Sequence, residues 1–107
     1  MAYYITEKDD KVELDINDWV IYLDDKKIIE LNIDGMKQLK CLSCVNNNLT
    51  QLNVQEQYSL EFIYCANNPL TELNIKGLNL LMLVQCDENL FDTEYMNNSH
   101  IEFEIVL

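Results

Sequence analysis

The chain has no arginine, a single histidine (His100), two glycines and one proline. Each scarcity removes a class of function. Seven lysines face nineteen acids, a formal net charge of −12, which argues against a role that grips a phosphate backbone, since such binding needs clustered Lys and Arg. One histidine removes most general acid–base and zinc-hydrolase schemes. Two glycines leave no phosphate-cradling loop, and one proline leaves no proline-rich linker. The start, Met1-Ala2-Tyr3-Tyr4-Ile5, runs straight into Glu7-Lys8-Asp9-Asp10, without the basic n-region and apolar h-region of a secretory signal. The longest apolar run, Leu80 to Val84, is far below the ~20 residues that span a bilayer. A cytoplasmic location is therefore expected, with the four cysteines as free thiols in a reducing compartment.

Apolar residues make up 49% of the 107 residues, enough for one domain with one core and too many for a disordered acidic tail. The most informative feature is an internal period of 21 residues. The block Leu39-Lys40-Cys41-Leu42-Ser43-Cys44 aligns with Leu60-Glu61-Phe62-Ile63-Tyr64-Cys65 and with Leu81-Met82-Leu83-Val84-Gln85-Cys86. The asparagines Asn47, Asn68 and Asn89 follow in register, then Leu49, Leu70 and Phe91. Leu31-Asn32-Ile33, Leu52-Asn53-Val54 and Leu73-Asn74-Ile75 recur at the same period. One period earlier a degenerate copy keeps Ile21, Leu23 and Ile28 but has Lys26 in place of the Asn.

This pattern, L-x-x-L-x-C-x-x-N-x-L-T-x-L-N-I, resembles the leucine-rich repeat in its short, cysteine-bearing form, seen in bacterial surface and secreted proteins. The resemblance covers about residues 18–91. It implies a fold of the α/β-solenoid class, mostly β: a right-handed leucine-rich-repeat solenoid with one parallel sheet of about five short strands. β caps are expected at both ends. It also implies protein binding through the concave face.

The residues lead to the same shape without the family. Alternating apolar positions in each block suit a strand with one buried face. No single repeat can bury its own apolar edge, so copies must stack, with Leu42, Ile63 and Val84 in one inward column. The asparagine amides are expected to satisfy backbone groups where the chain leaves each strand. One domain is expected, with an N-terminal cap over 1–17, repeats over 18–91 and a cap strand over 92–107. In the first cap Val12, Leu14 and Ile16 alternate with polar residues, and Tyr3 to Thr6 are placed to pair with them. At the other end Ile101, Phe103, Ile105 and Leu107 alternate. The period puts Ile105 after Val84 and Leu107 after Cys86.

No catalytic, metal or cofactor site is expected. Cys41 and Cys44 form a C-x-x-C, but residues three apart in a strand point to opposite faces. Cys44, Cys65 and Cys86 are expected in the core as small hydrophobes. Cys41 faces outward, and His100 sits in a solvated loop. The candidate partner-binding face is carried over from the family column by column. One column holds Val20, Cys41, Phe62 and Leu83, then Glu104; the next holds Tyr22, Ser43, Tyr64 and Gln85, then Val106; a third holds Asp24, Val45, Ala66 and Asp87. The centre is apolar and aromatic and the ends are acidic, the anatomy of a protein interface.

Residues 55–107 hold nine of the acids and only one of the lysines, so the C-terminal half is the more negative. The expected partner is a basic protein and neither nucleic acid nor membrane. Compact acidic inhibitors of this kind resemble immunity proteins, which neutralise a nuclease toxin by covering its substrate surface, with a steered on-rate. Two alternatives stand beside that reading: a phage-encoded nucleic-acid mimic that inhibits a host defence nuclease, and a structural or adhesive repeat module.

Overall fold

Each apolar block is extended for only three to five residues before the backbone turns away. The computed structural model describes residues 1–88 and 90–107; Asn89, expected in the asparagine column, lies outside the described residues. The elements are β1 (Tyr3–Thr6), β2 (Lys11–Glu13), β3 (Val20–Tyr22), β4 (Ile28–Asn32), β5 (Cys41–Ser43), β6 (Phe62–Tyr64), β7 (Leu83–Asp87), α1 (Thr93–Asn97) and β8 (Glu102–Val106). They form a mostly β solenoid of about four turns with a parallel sheet, matching the leucine-rich-repeat type. That sheet has the order β3-β5-β6-β7-β8, and a smaller one has the order β2-β1-β4.

Parallel pairing follows the sequence period through four strands. Val20, Cys41, Phe62 and Leu83 stand abreast, as do Ile21, Leu42, Ile63 and Val84. The second row is buried, together with Cys44, Cys65 and Cys86, and Ile33, Val54 and Ile75 close the core from the opposite wall. Two turn positions recur in each repeat. Asp25, Asn46 and Asn67 take φ of 58°, 58° and 59°, and Gly35, Glu56 and Gly77 take 85°, 65° and 83°. The chain's two glycines thus occupy a left-handed turn position, where a missing Cβ removes the steric cost.

The asparagine column ties turn to turn. Asn47 Nδ2 donates to the carbonyls of Leu23 (2.8 Å) and Cys44 (3.0 Å), while its Oδ1 accepts from the Lys26 (3.1 Å) and Ile28 (3.0 Å) amides. Asn68 repeats the device one turn on, donating to Cys44 and Cys65 carbonyls and accepting from the Leu49 amide. Both are buried.

The ends depart from expectation in three ways. The N-terminal hairpin itself forms as expected, with Tyr3 opposite Glu13 and Tyr4 opposite Val12, and β1 docks on β4 of the first repeat, Tyr4 opposite Leu31. The outer edge of β3 is therefore left unpaired. Leu14 packs against the core, whereas Val12, on the outermost strand of its sheet, and Ile16, beyond that strand, are exposed. The stretch before β8 holds the short helix α1, capped by Asp92, which accepts from the Tyr95 amide at 2.7 Å.

The third departure is the register of β8. It pairs two residues earlier than the period projects: Leu83 faces Glu102, Val84 faces Phe103, Gln85 faces Glu104 and Asp87 faces Val106. Ile105 does not follow Val84, and Leu107 is 96% exposed. The shift brings Phe103 to the core, where its ring meets Phe91 at 5.1 Å, and Phe91 stacks on Tyr95 of α1 at 5.5 Å. That aromatic cluster closes the last turn.

Candidate binding face of the parallel sheet

Every second residue of β3, β5, β6, β7 and β8 turns away from the core, so the open face carries three rows. The first runs Val20, Cys41, Phe62, Leu83, Glu102, and the second runs Tyr22, Ser43, Tyr64, Gln85, Glu104. Glu104 thus belongs beside Gln85 and not after Leu83; Glu102 takes the place projected for it, and Val106 moves beside Asp87. The strand's period of two keeps Glu104 on the same face, so the C-terminal end carries two carboxylates where one was expected. Gln85 Nε2 donates to Glu104 Oε1 at 3.4 Å.

Exposure falls from the N-terminal edge inward. Val20 and Tyr22 are exposed, Cys41, Phe62, Tyr64, Leu83 and Gln85 are half-buried, and Ser43 and Ala66 are buried. The N-terminal hairpin lies on β4 and the C-terminal strand extends the sheet, so neither end crosses the Phe62–Leu83 centre.

The third row does structural work that the sequence pattern did not reveal. Asp24 Oδ1 accepts from the Ser43 hydroxyl and the Val45 amide, each at 2.8 Å. Asp87 reaches back one turn and accepts from the Asn67 amide at 2.9 Å. The two acids expected only as a charged rim therefore also clamp neighbouring turns. Trp19 is a further surface residue that the columns missed: its ring is exposed, its Nε1 donates to Gln38 Oε1 at 2.6 Å, and the Lys40 ammonium lies 5.1 Å from the ring centroid. The signal was available, since the chain's one tryptophan immediately precedes Val20.

The Ser43 hydroxyl is engaged by Asp24, and His100 sits beyond α1, exposed. Cys41 and Cys44 lie on opposite sides of the sheet, Cys41 in the first row and Cys44 in the core. Burial pushes the Cys41 thiol above its ordinary pKa, which keeps it protonated and weakly nucleophilic. Burial also raises Cys44 to about 12 and Cys86 to about 11, and raises Cys65 further. All four cysteines are free. Among the described residues no cluster of three or more His, Cys, Asp or Glu side chains converges as a metal site. No described helix is long and apolar enough to cross a membrane.

Fold and face together define the class, a leucine-rich-repeat-like solenoid with an open parallel sheet. The chain is similar to the functional domain of InlJ from Listeria monocytogenes, which includes a cysteine ladder. The two share 28% identity with a TM-score of 0.73, over 88% of this chain and 22% of that one. The chain thus spans less than a quarter of that protein's structure. In this chain Cys44, Cys65 and Cys86 stack one per turn. No family model and no curated protein sequence matches the chain.

Proposed function

We propose that the chain is a non-catalytic protein-binding module whose open sheet face covers a basic partner, in the concrete form of an immunity protein that neutralises a nuclease toxin in the cytoplasm. The observation that carries this reading is the half-buried, uncovered row of Phe62, Tyr64 and Leu83 flanked by acids at both ends of the sheet. Aromatic anchors inside a polar rim are what protein interfaces use. Similarity to a leucine-rich repeat protein supports a protein-binding repeat module. A net charge of −12 suits a basic partner and speeds its approach. Five strands at ~4.8 Å spacing give a sheet about 20 Å across, and strands of three to five residues make it only about 10–17 Å long. The ~800 Å² per side of an ordinary interface therefore takes in the loops that flank the sheet.

The test is capture from the native cell with the parent chain and with the Phe62→Ala, Tyr64→Ala double variant. A basic protein should co-purify with the parent and be lost with the variant, each aromatic contributing ~2 kcal/mol or more. Once purified, that protein should degrade nucleic acid and be stopped by one equivalent of the chain. Equal capture by both forms would move the site off this face. Loss through Glu102→Gln and Glu104→Gln alone, with the aromatics silent, would favour the nucleic-acid mimic, a reading to which the second carboxylate on β8 lends weight.

A further inference from the structure

The N-terminal end of the open face is not flat. A hollow of about 290 Å³ is lined by Val20, Tyr22, Asp24, Cys41, Val45 and Tyr64, together with Ile21 and Ser43. This is just below the roughly 300–1,000 Å³ of small-molecule sites and fits one inserted side chain. We propose that it is a slot for a single lysine side chain of the partner polypeptide, the stem running over Val20 and Val45 between the two tyrosines and the ammonium resting on Asp24. The proposal deepens the protein-binding reading and rests on it.

Three features select the occupant. Asp24 is the one carboxylate of the lining, so an anionic group is repelled. An apolar group would strip water from that carboxylate without replacing its partner. Phenol rings on two sides attract a cation through their faces, and the apolar walls suit a long methylene stem. The third feature separates lysine from arginine. Asp24 Oδ1 accepts from Ser43 and Val45 and the Tyr22 hydroxyl bonds to the same carboxylate, so of its roughly four acceptor sites about one is left, on Oδ2 beside the phenol. One oxygen suits a compact ammonium, whereas a guanidinium fork gains most from two. A side-chain hydrogen bond to Asp24, with the Asp24 charge second, raises the Tyr22 phenol above its ordinary pKa, which places that phenol against the carboxylate.

The test uses capped tripeptides, acetyl-Gly-Lys-Gly-amide and its norleucine and arginine counterparts, titrated at low salt and followed by the NMR signals of the Tyr22 and Tyr64 rings and the Val20 and Val45 methyls. The lysine peptide should give saturable shifts confined to these residues, with the norleucine peptide weaker by roughly tenfold or more, the scale of a cation–π contact joined to a charge. Asp24→Asn keeps Oδ1 for Ser43 and Val45 and should weaken binding similarly. Tyr22→Ala, at a position 71% exposed, should do the same without loss of fold. Equal binding of norleucine, tighter binding of arginine, or shifts centred on Phe62 and Leu83 would each overturn the slot. A protein partner lost with Phe62→Ala but held unchanged by Asp24→Asn and Tyr22→Ala would sink the slot and leave the protein-binding reading standing.

Discussion

Replacing Asn47 by alanine should be among the most damaging single changes in the repeats. The side chain is 5% exposed and joins the first turn to the second through three bonds of 2.8–3.1 Å, with a fourth to the Cys44 carbonyl of its own turn. Not all of them become orphans when the amide is removed. The Cys44 carbonyl keeps a bond from Asn68 Nδ2 at 2.9 Å, and the Lys26 amide lies close enough to solvent to find water. The Ile28 amide and the Leu23 carbonyl are left buried without these partners, and each such group costs ~1–3 kcal/mol. The expected loss is therefore about 2–6 kcal/mol, a large part of the ~5–15 kcal/mol that holds a domain together. Urea unfolding followed by circular dichroism measures it directly. Asn79→Ala, on an exposed residue, is the control and should stay within about ±0.5 kcal/mol. Because stability in a stacked repeat resides in contacts between neighbours, the Asn47 variant should also show a reduced slope or a separate early transition as the first turn frays. A variant within 1 kcal/mol of the parent would show that the amide does not bridge the turns.

Three further outcomes follow from the core and the turns. Glu56 has φ of 65° where the neighbouring repeats have Gly35 and Gly77, so Glu56→Gly should stabilise by about 1 kcal/mol in the same assay; a loss would mean that its side chain holds the turn. Cys65→Ser should cost less than Cys44→Ser, because the Cys65 thiol already points at the Gln85 carbonyl (3.5 Å), which a hydroxyl can use, whereas Cys44 is fully buried without such a bond. Thermal melts that rank them the other way would refute this. The thiols also predict an alkaline limit. Their folded pKa values are raised, so above the unfolded value of 9.0 the unfolded chain releases protons that the folded chain retains. Stability is intact below that pH and falls as pH rises, by about 1.4 kcal/mol per unit for each thiol. The loss runs to about 11 for Cys86 and about 12 for Cys44. Urea midpoints across this range check it, with Cys86→Ala expected to flatten the slope.

The inward rows were legible because the sequence states them three times over. Leu42, Ile63 and Val84 could occupy one column only if Cys44, Cys65 and Cys86 occupied the next. The last strand was stated once, and there the reading slipped. Ile101, Phe103, Ile105 and Leu107 alternate cleanly, so a shift of two residues exchanges one apolar residue for another without turning any side chain over. Alternation fixes the face and leaves the register open. What accompanies the observed register is the contact of Phe103, beyond the repeats, with Phe91, the last residue of the repeat columns, a pairing that alternation does not encode. The docking of the N-terminal hairpin was hidden for a related reason. The alternation around Val12 to Leu14 marks a strand, but nothing in it distinguishes the edge at β3 from the edge at β4. The β4 stretch shares its Leu-Asn-Ile signature with every other repeat.

The acids illustrate a different limit, because a count of charge does not tell where the charge is already engaged. Asp24 and Asp87 were placed on the rim by their column, yet both accept backbone amides from neighbouring turns. Glu102 stands on the same face, exposed on the outermost strand, and accepts no such bond among the described residues. An alanine scan of the rim would therefore mix two effects. Asp87→Ala should destabilise the fold by about 1–2 kcal/mol, the lower range for a hydrogen bond to a charged group that is only half-buried. Glu102→Ala should leave stability within about ±0.5 kcal/mol, and any effect on a basic partner should appear in the association rate and fade as salt screens the field. Urea unfolding and association kinetics, measured on the same two variants, separate the contributions. If Glu102→Ala destabilised the chain as much as Asp87→Ala, the carboxylates of β8 would have to be holding the last turn in place, and the case for them as a free rim that steers a partner would fail.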